Sequence, residues 1–291
     1  MKFSVSSYSF SQYLKDGRLT TFSCIEKAKE LGFDAIEFID AVFSDAENPL
    51  DRASELAGEA QRVGIEISNY AVGADFINGS GGDIEKEIAR LCAQVDIAKA
   101  LGCPTMRHDV TGGKTAHSYE GYDNVLERLA YGCRKVTEYA QTVGVRTMTE
   151  NHGYFSQDST RVEKLINTVA SENFGWLVDM GNFLCADDEP AAAVGRAARY
   201  AFYVHAKDFI VKSGQSPDPG SGFFTTRGGS FLRGTIVGHG DVPVVQCLRA
   251  LKRAEYDGYL AIEFEGMEDC IKGISIGLEN LKRYVKTVYG E

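Results

Sequence analysis

The sequence has no cysteines placed to cross-link or to clasp a metal. Its seven cysteines, Cys24, Cys92, Cys103, Cys133, Cys185, Cys247 and Cys270, are odd in number, scattered, and never spaced C-x-x-C. That pattern reads as reduced thiols in a cytoplasmic protein rather than a disulfide scaffold. Positive charge is also short: 31 Lys and Arg stand against 41 Asp and Glu, a formal net charge of -10. Nucleic-acid binding, which works through phosphate contacts from Lys and Arg, is therefore disfavoured. No apolar run approaches the roughly 20 residues of a membrane helix. Met1 to Ser6 contains no apolar core of signal-peptide length. Histidines number five, His108, His117, His152, His205 and His239, which leaves few imidazoles for a multi-metal centre. Residues 10 to 20 lack G-x-G-x-x-G, the phosphate signature of a doubly wound dinucleotide fold.

What is present is a regular alternation of short β-branched or aromatic runs with longer helical stretches. Strands are expected at Lys2–Phe10, Ala35–Ile39, Ile65–Val72, Thr105–Val110, Val145–Glu150, around Trp176–Val178, at Ala201–Val204 and at Tyr259–Ile262. Helices are expected between them. Thr20 or Thr21 opens the first, Pro49 starts one stopped by Gly64, and Asp83 caps one closed by Gly102. The longest is expected from Tyr119 to Val143, and the last from Glu268 to Tyr289. Phe209–Asp241, rich in Gly, Ser and Pro, is expected to be a long loop. Eight βα units at even spacing predict parallel strands closed into one (β/α)8 TIM barrel over residues 1–291.

Four consecutive units end in a residue that can bind a metal. Glu150 stands in T-E-N-H-G, Asp179 in V-D-M-G-N, His205 in V-H-A-K-D-F and Glu263 in Y-L-A-I-E-F-E-G. Strand ends in such a barrel converge at its mouth, where chemistry is placed. Three carboxylates and an imidazole suit Mn²⁺, Mg²⁺, Co²⁺ or Zn²⁺, with positions left for substrate oxygens. Residues two apart in a strand share a face, which puts His152 with Glu150, Lys207 with His205, and Glu265 with Glu263. His152 either meets substrate, orients Glu150 or makes a structural hydrogen bond. Lys207 either meets a substrate oxygen or pairs with Glu265 or Asp208. Arg107, His108 and Asp109 close the fourth strand as a substrate-binding candidate cluster whose inward members the pattern leaves open. Glu37 ends the second strand as a further substrate-binding candidate, more in keeping with a salt bridge. His239 lies in a glycine-bounded turn suited to a loop role. Gly220–Gly234, with Arg227 and Arg233, could bind a phosphate, act as a lid or form an oligomer contact.

These four motifs resemble the metal site of the xylose-isomerase-like barrel superfamily of sugar phosphate isomerases and epimerases. That group includes ketose 3-epimerases, inosose isomerases and dehydratases and, more distantly, endonuclease IV. The resemblance runs along nearly the whole chain and includes V-G-H-G-D-V at 237–242. It implies one Mn²⁺-type ion on Glu150, Asp179, His205 and Glu263. It also implies proton exchange with a sugar or polyol ketone through Glu150 and Glu263. Asn182 stands where many relatives have His, and Val211 where ketose 3-epimerases have Arg. Asn182 joins the substrate-binding candidates. A metal-dependent isomerase or epimerase is expected, with an inosose-dehydratase-like lyase as the alternative. The composition leaves homo-oligomers open.

Overall fold

Polar caps and glycine stops cut the chain into βα units. Thr20 accepts a hydrogen bond from the Ser23 N–H, and the Ser23 hydroxyl accepts from the Thr20 N–H, opening the helix Thr21–Glu30. Asn48, Asp83, Asp158, Glu189 and Asp269 cap later helices, each satisfying N–H groups that a first turn leaves open. Gly64, Gly102 and Gly144 end Pro49–Val63, Ile84–Leu101 and Tyr122–Val143 at φ of 73°, 73° and 80°. A Cβ is disfavoured in that left-handed region, so glycine makes the stop clean. The computed structural model describes residues 1–113 and 121–290. The expected helix start at Tyr119, and His117, lie outside the described residues.

The barrel strands are β1 (Lys2–Ser6), β2 (Ala35–Ile39), β3 (Glu66–Val72), β4 (Thr105–His108), β5 (Arg146–Glu150), β6 (Phe174–Asp179), β7 (Ala201–Ala206) and β11 (Tyr259–Ile262). All pair in parallel, and β11 returns to β1 to close an eight-stranded barrel. This is the (β/α)8 TIM barrel that the alternation predicts. Two strands, β1 and β4, end earlier than expected, and β3 and β5 each begin one residue later. After Ser6 the chain tightens into a 3-10 turn at Ser7–Phe10, and β4 stops at His108.

The stretch expected as a loop, Phe209–Asp241, is mostly irregular but carries three short strands that form a second sheet. β8 (Asp208–Lys212), β9 (Phe224–Thr225) and β10 (Phe231–Thr235) pair antiparallel in the order β8–β10–β9. Its Gly, Ser and Pro are concentrated in the connection between β8 and β9, which masks two short apolar strands when the window is read as a whole. Phe209 and Leu232 cover Cys185 as a small separate core.

Strand alternation divides the barrel into an outer and an inner layer. Trp176, Val178, Val204 and Ile262 face outward and join the main core between sheet and helices. Met148, Leu177, Tyr203 and Ala261 face inward and fill the barrel as one apolar cluster. Two positions beyond each of those four, on the same face and one layer nearer the mouth, stand Glu150, Asp179, His205 and Glu263.

Candidate metal centre

The four strand-end residues meet. Each offers one ligand atom, and those atoms lie within 4.8 Å of one another. His205 Nδ1 is 3.4 Å from Glu263 Oε2, 3.7 Å from Asp179 Oδ2 and 4.0 Å from Glu150 Oε1. Asp179 Oδ1 accepts from the backbone N–H of Gly181 and Asn182 at 2.8 and 2.9 Å. That fixes the carboxylate and leaves Oδ2 aimed at the cluster. Asp179 Oδ2 and His205 Nδ1 are buried and have no hydrogen-bond partner. Buried polar atoms are seldom left so. Two such atoms converging with two more carboxylates fit a divalent ion of the oxygen- and nitrogen-binding kind.

The inside of the barrel holds the imidazole in the orientation a ligand needs. Thr105 donates to Asn69 Oδ1 at 2.8 Å, and Asn69 Nδ2 donates to Glu37 Oε2 at 2.8 Å. Glu37 then accepts from His205 Nε2, its two oxygens 3.0 and 3.1 Å away. With Nε2 carrying the proton toward Glu37, Nδ1 is the ligand atom. Burial opposes protonation of His205, but Glu37 and Glu263 overcome it and hold its pKa well above the ordinary value. Metal uptake at this site would therefore release a proton. Asn151 ties β5 to β6 by donating to the Asp179 carbonyl and accepting from the Asp179 N–H and Trp176 Nε1. Nothing in the sequence marks it except its place next to Glu150.

Two cations divide the carboxylates between them. Arg107 Nη2 is 2.6 Å from Glu150 Oε2 and 2.9 Å from Asp109 Oδ1. Lys207 Nζ is 2.5 Å from Glu263 Oε2, 3.4 Å from Asp179 Oδ2 and 3.6 Å from Glu265 Oε2. Burial raises the pKa of Glu150, with Arg107 opposing. Burial pushes Glu263 upward too, but Lys207 and His205 prevail and hold it well below the usual range. Burial also acts against the ammonium of Lys207, yet Asp179 and Glu263 keep its pKa well above normal. His152 Nδ1 lies 2.9 Å from Asp109 Oδ1, and that carboxylate raises the pKa of the imidazole. Asp109 itself is brought down to about 2, Arg107 and His152 outweighing its burial.

These groups line a cavity of about 280 Å³ together with Tyr8, Ile39 and Glu265. Arg107, His152 and Lys207 stand in its wall as the sequence suggests. Three other substrate-binding candidates do not. His108 points outward, because Arg107 takes the inward position beside it. Its ring packs near Phe76 and Phe174, and its Nδ1 is 2.8 Å from the Asp109 carbonyl oxygen. Burial lowers its pKa to about 4, so it is a neutral core histidine. Glu37 is fully buried beneath His205 and orients it. Asn182 is a brace: its Nδ2 donates to Glu150 Oε1 at 2.8 Å and its Oδ1 accepts from Lys207 at 3.2 Å.

The two arginines of Gly220–Gly234 face protein groups. Arg227 is committed to Asp158 and the Tyr154 carbonyl, and Arg233 lies 3.8 Å from Glu268 and over the Phe223 ring. His239 is exposed in its turn. Asp208 holds that turn by accepting from the N–H groups of Gly238, Gly240 and Val242. Lys207 and Asp208 are therefore not partners; they serve opposite sides of the strand.

The fold and this site agree with what the chain resembles. It belongs to the xylose isomerase-like TIM barrel family, whose model matches residues 25–284. Members of this superfamily are enzymes and include epimerases and dehydratases. Inosose dehydratase of Clostridium perfringens is 24% identical over 176 residues, which cover 58% of this chain and 58% of that enzyme's length. Among solved structures, the IolI protein with a bound zinc atom superposes over 100% of both chains, with a TM-score of 0.78 and 16% identity. D-psicose 3-epimerase of Clostridium cellulolyticum H10, solved with D-tagatose, superposes over 98% of this chain and 99% of its own, with a TM-score of 0.76 and 15% identity. No described helix is long and apolar enough to cross a membrane.

Proposed function

We propose that this chain is a divalent-metal-dependent isomerase or epimerase that moves a proton next to the carbonyl of a sugar or related polyol ketone. The observation that carries the reading is the set of inward ligand atoms on β5, β6, β7 and β11, two of them buried and without hydrogen bonds. Glu150, Asp179, His205 and Glu263 would hold the ion, with Mn²⁺ preferred and Mg²⁺, Co²⁺ or Zn²⁺ as substitutes. When bound, the ion polarises the carbonyl oxygen and offsets negative charge gathering there.

The residues of the chain do the rest. Glu150 takes the proton from the α-carbon, and the C–H pair moves into a C=C bond as the carbonyl pair moves onto oxygen. Glu263 with Lys207, 2.5 Å apart, returns a proton to carbon. Arg107 orients Glu150, and Tyr8, Ile39 and Glu265 bound the space for a single small ring or short chain.

A second reading, dehydration, is favoured by the His152–Asp109 pair. After Glu150 removes the α-proton, an imidazole with a raised pKa in the cavity wall can protonate the hydroxyl β to the carbonyl; the enolate pair forms the C=C bond as the C–O bond breaks, and water leaves. The 24% identity to an inosose dehydratase supports it equally. One experiment tests both readings. The Mn²⁺-loaded protein is incubated in deuterated water with ketoses and with inosose, and products are followed by NMR. Deuterium at the α-carbon without loss of water supports the isomerase. An unsaturated, dehydrated product supports the lyase. Activity unchanged after chelation and dialysis would sink both.

A further inference from the structure

A second cavity, of about 610 Å³, lies beside the reaction cavity of about 280 Å³. It sits between the segment that follows β1 and the segment that follows β2, both at the mouth of the barrel. Ile39 belongs to both walls. The neighbouring residues alternate between the two spaces: Tyr8 and Asp40 line the first, Ser7 and Ala41 the second. The chemistry of the two differs. The first is walled by carboxylates and cations. The second has Leu14, Leu19, Phe22, Ile39 and Val42 in its wall, with Lys15, Asp45 and Arg52 and several hydroxyl side chains around them. Arg52 is only loosely paired, 3.7 Å from Asp45 and 3.9 Å from Glu55, distances too long for hydrogen bonds. None of the groups assigned to proton transfer stands in this second wall.

Pockets for ligands of moderate size run from about 300 to 1,000 Å³ and are mostly apolar with a few polar groups. The reaction cavity falls at the small end of that range and the second cavity well inside it. We infer that the second cavity is a subsite for an apolar, ring-sized appendage carried by the sugar or polyol. The substrate class is then a conjugated sugar or polyol, an aryl glycoside for example, rather than a free monosaccharide. This rests on the proposed function for the position of the sugar, but the cavity can be tested without it.

The probes are 4-fluorophenol, 4-fluorophenyl β-D-glucopyranoside and methyl β-D-glucopyranoside. They are titrated into the Mn²⁺-loaded full-length protein by fluorine NMR and calorimetry. Ala41→Trp and Ser44→Trp fill the cavity from exposed positions outside the carboxylate cluster. Their metal content and circular dichroism report that the fold persists. The fluorophenol resonance should broaden with the wild type and sharpen with either variant. The aryl glucoside should bind at least tenfold tighter than the methyl glucoside, and both variants should erase that difference. A fluorophenol signal alike in wild type and both variants, or equal affinity for the two glucosides, overturns the subsite. Should the aryl group bind as expected while no carbonyl compound exchanges its proton, the subsite stands and the proton-transfer reading falls.

Discussion

Glu150 and Glu263 are the same residue type at the same layer of the barrel, yet their surroundings drive them apart. Glu150 sits with Arg107 and Asn182, and its pKa ends above the ordinary value because burial dominates. Glu263 sits with Lys207 and His205, and those cations carry it well below. The difference is one of neighbours, not of residue. Groups whose environments separate their pKa values take different roles in proton transfer. On the proposed function, Glu150 would take the substrate proton, while Glu263 would stay anionic beside Lys207.

The largest effect should come from removing either carboxylate. Glu150→Gln and Glu263→Gln should each slow α-proton exchange into deuterated water by about a thousandfold. The double variant should be little worse than either, since both act on one substrate proton relay. Circular dichroism should stay unchanged. Wild-type exchange in either variant would remove that residue from the relay.

A control on the outer face of the same layer comes next. His108 is buried and neutral, its pKa lowered to about 4. In the unfolded chain it takes up a proton near pH 6.5, in the folded chain only near 4. Its contribution is therefore complete above pH 6.5 and is lost as pH falls between those values, by roughly 3 kcal/mol at most. His108→Phe should flatten that part of the urea-measured stability profile. An identical slope in wild type and variant would contradict the burial argument.

Glu37→Gln tests the support beneath His205. Without a carboxylate on Nε2, His205 loses its fixed ring orientation and basicity. Metal affinity should fall about 10- to 100-fold, read by competitive chelator titration, while the barrel stays folded. Unchanged affinity would mean that the contact is only structural. The finest test addresses the asymmetry directly. In chelated, metal-free protein, carbon-13 NMR of labelled glutamates should show Glu263 titrating below Glu150. Lys207→Met should raise Glu263 and narrow the gap, because the nearest cation is gone. A gap that does not narrow would assign the asymmetry to something other than Lys207.

Much of this was legible in the chain itself. Short β-branched or aromatic runs bounded by caps and glycines marked all eight barrel strands, because local sterics and hydrogen bonding decide where such elements begin and end. The four metal-ligand candidates were legible for a related reason: a polar residue closing an apolar strand has few places to go but the mouth. Inward direction is less secure near a strand's end. Arg107 and His108 are adjacent, and sequence alone left open which of them turned inward. The packing of His108 near Phe76 and Phe174 settled it.

By itself the sequence determined the order of the βα units and the four strand-end candidate ligands, since those depend on patterns within about one unit. Only the tertiary structure decided the partnerships. Glu37 and His205 are 168 positions apart and meet across the barrel interior. Asn182 and Glu150 are 32 apart, and β8 finds β10 across a glycine-rich connection. Such contacts depend on barrel closure, which brings distant strands to one axis, and no local pattern records which side chains will then face each other.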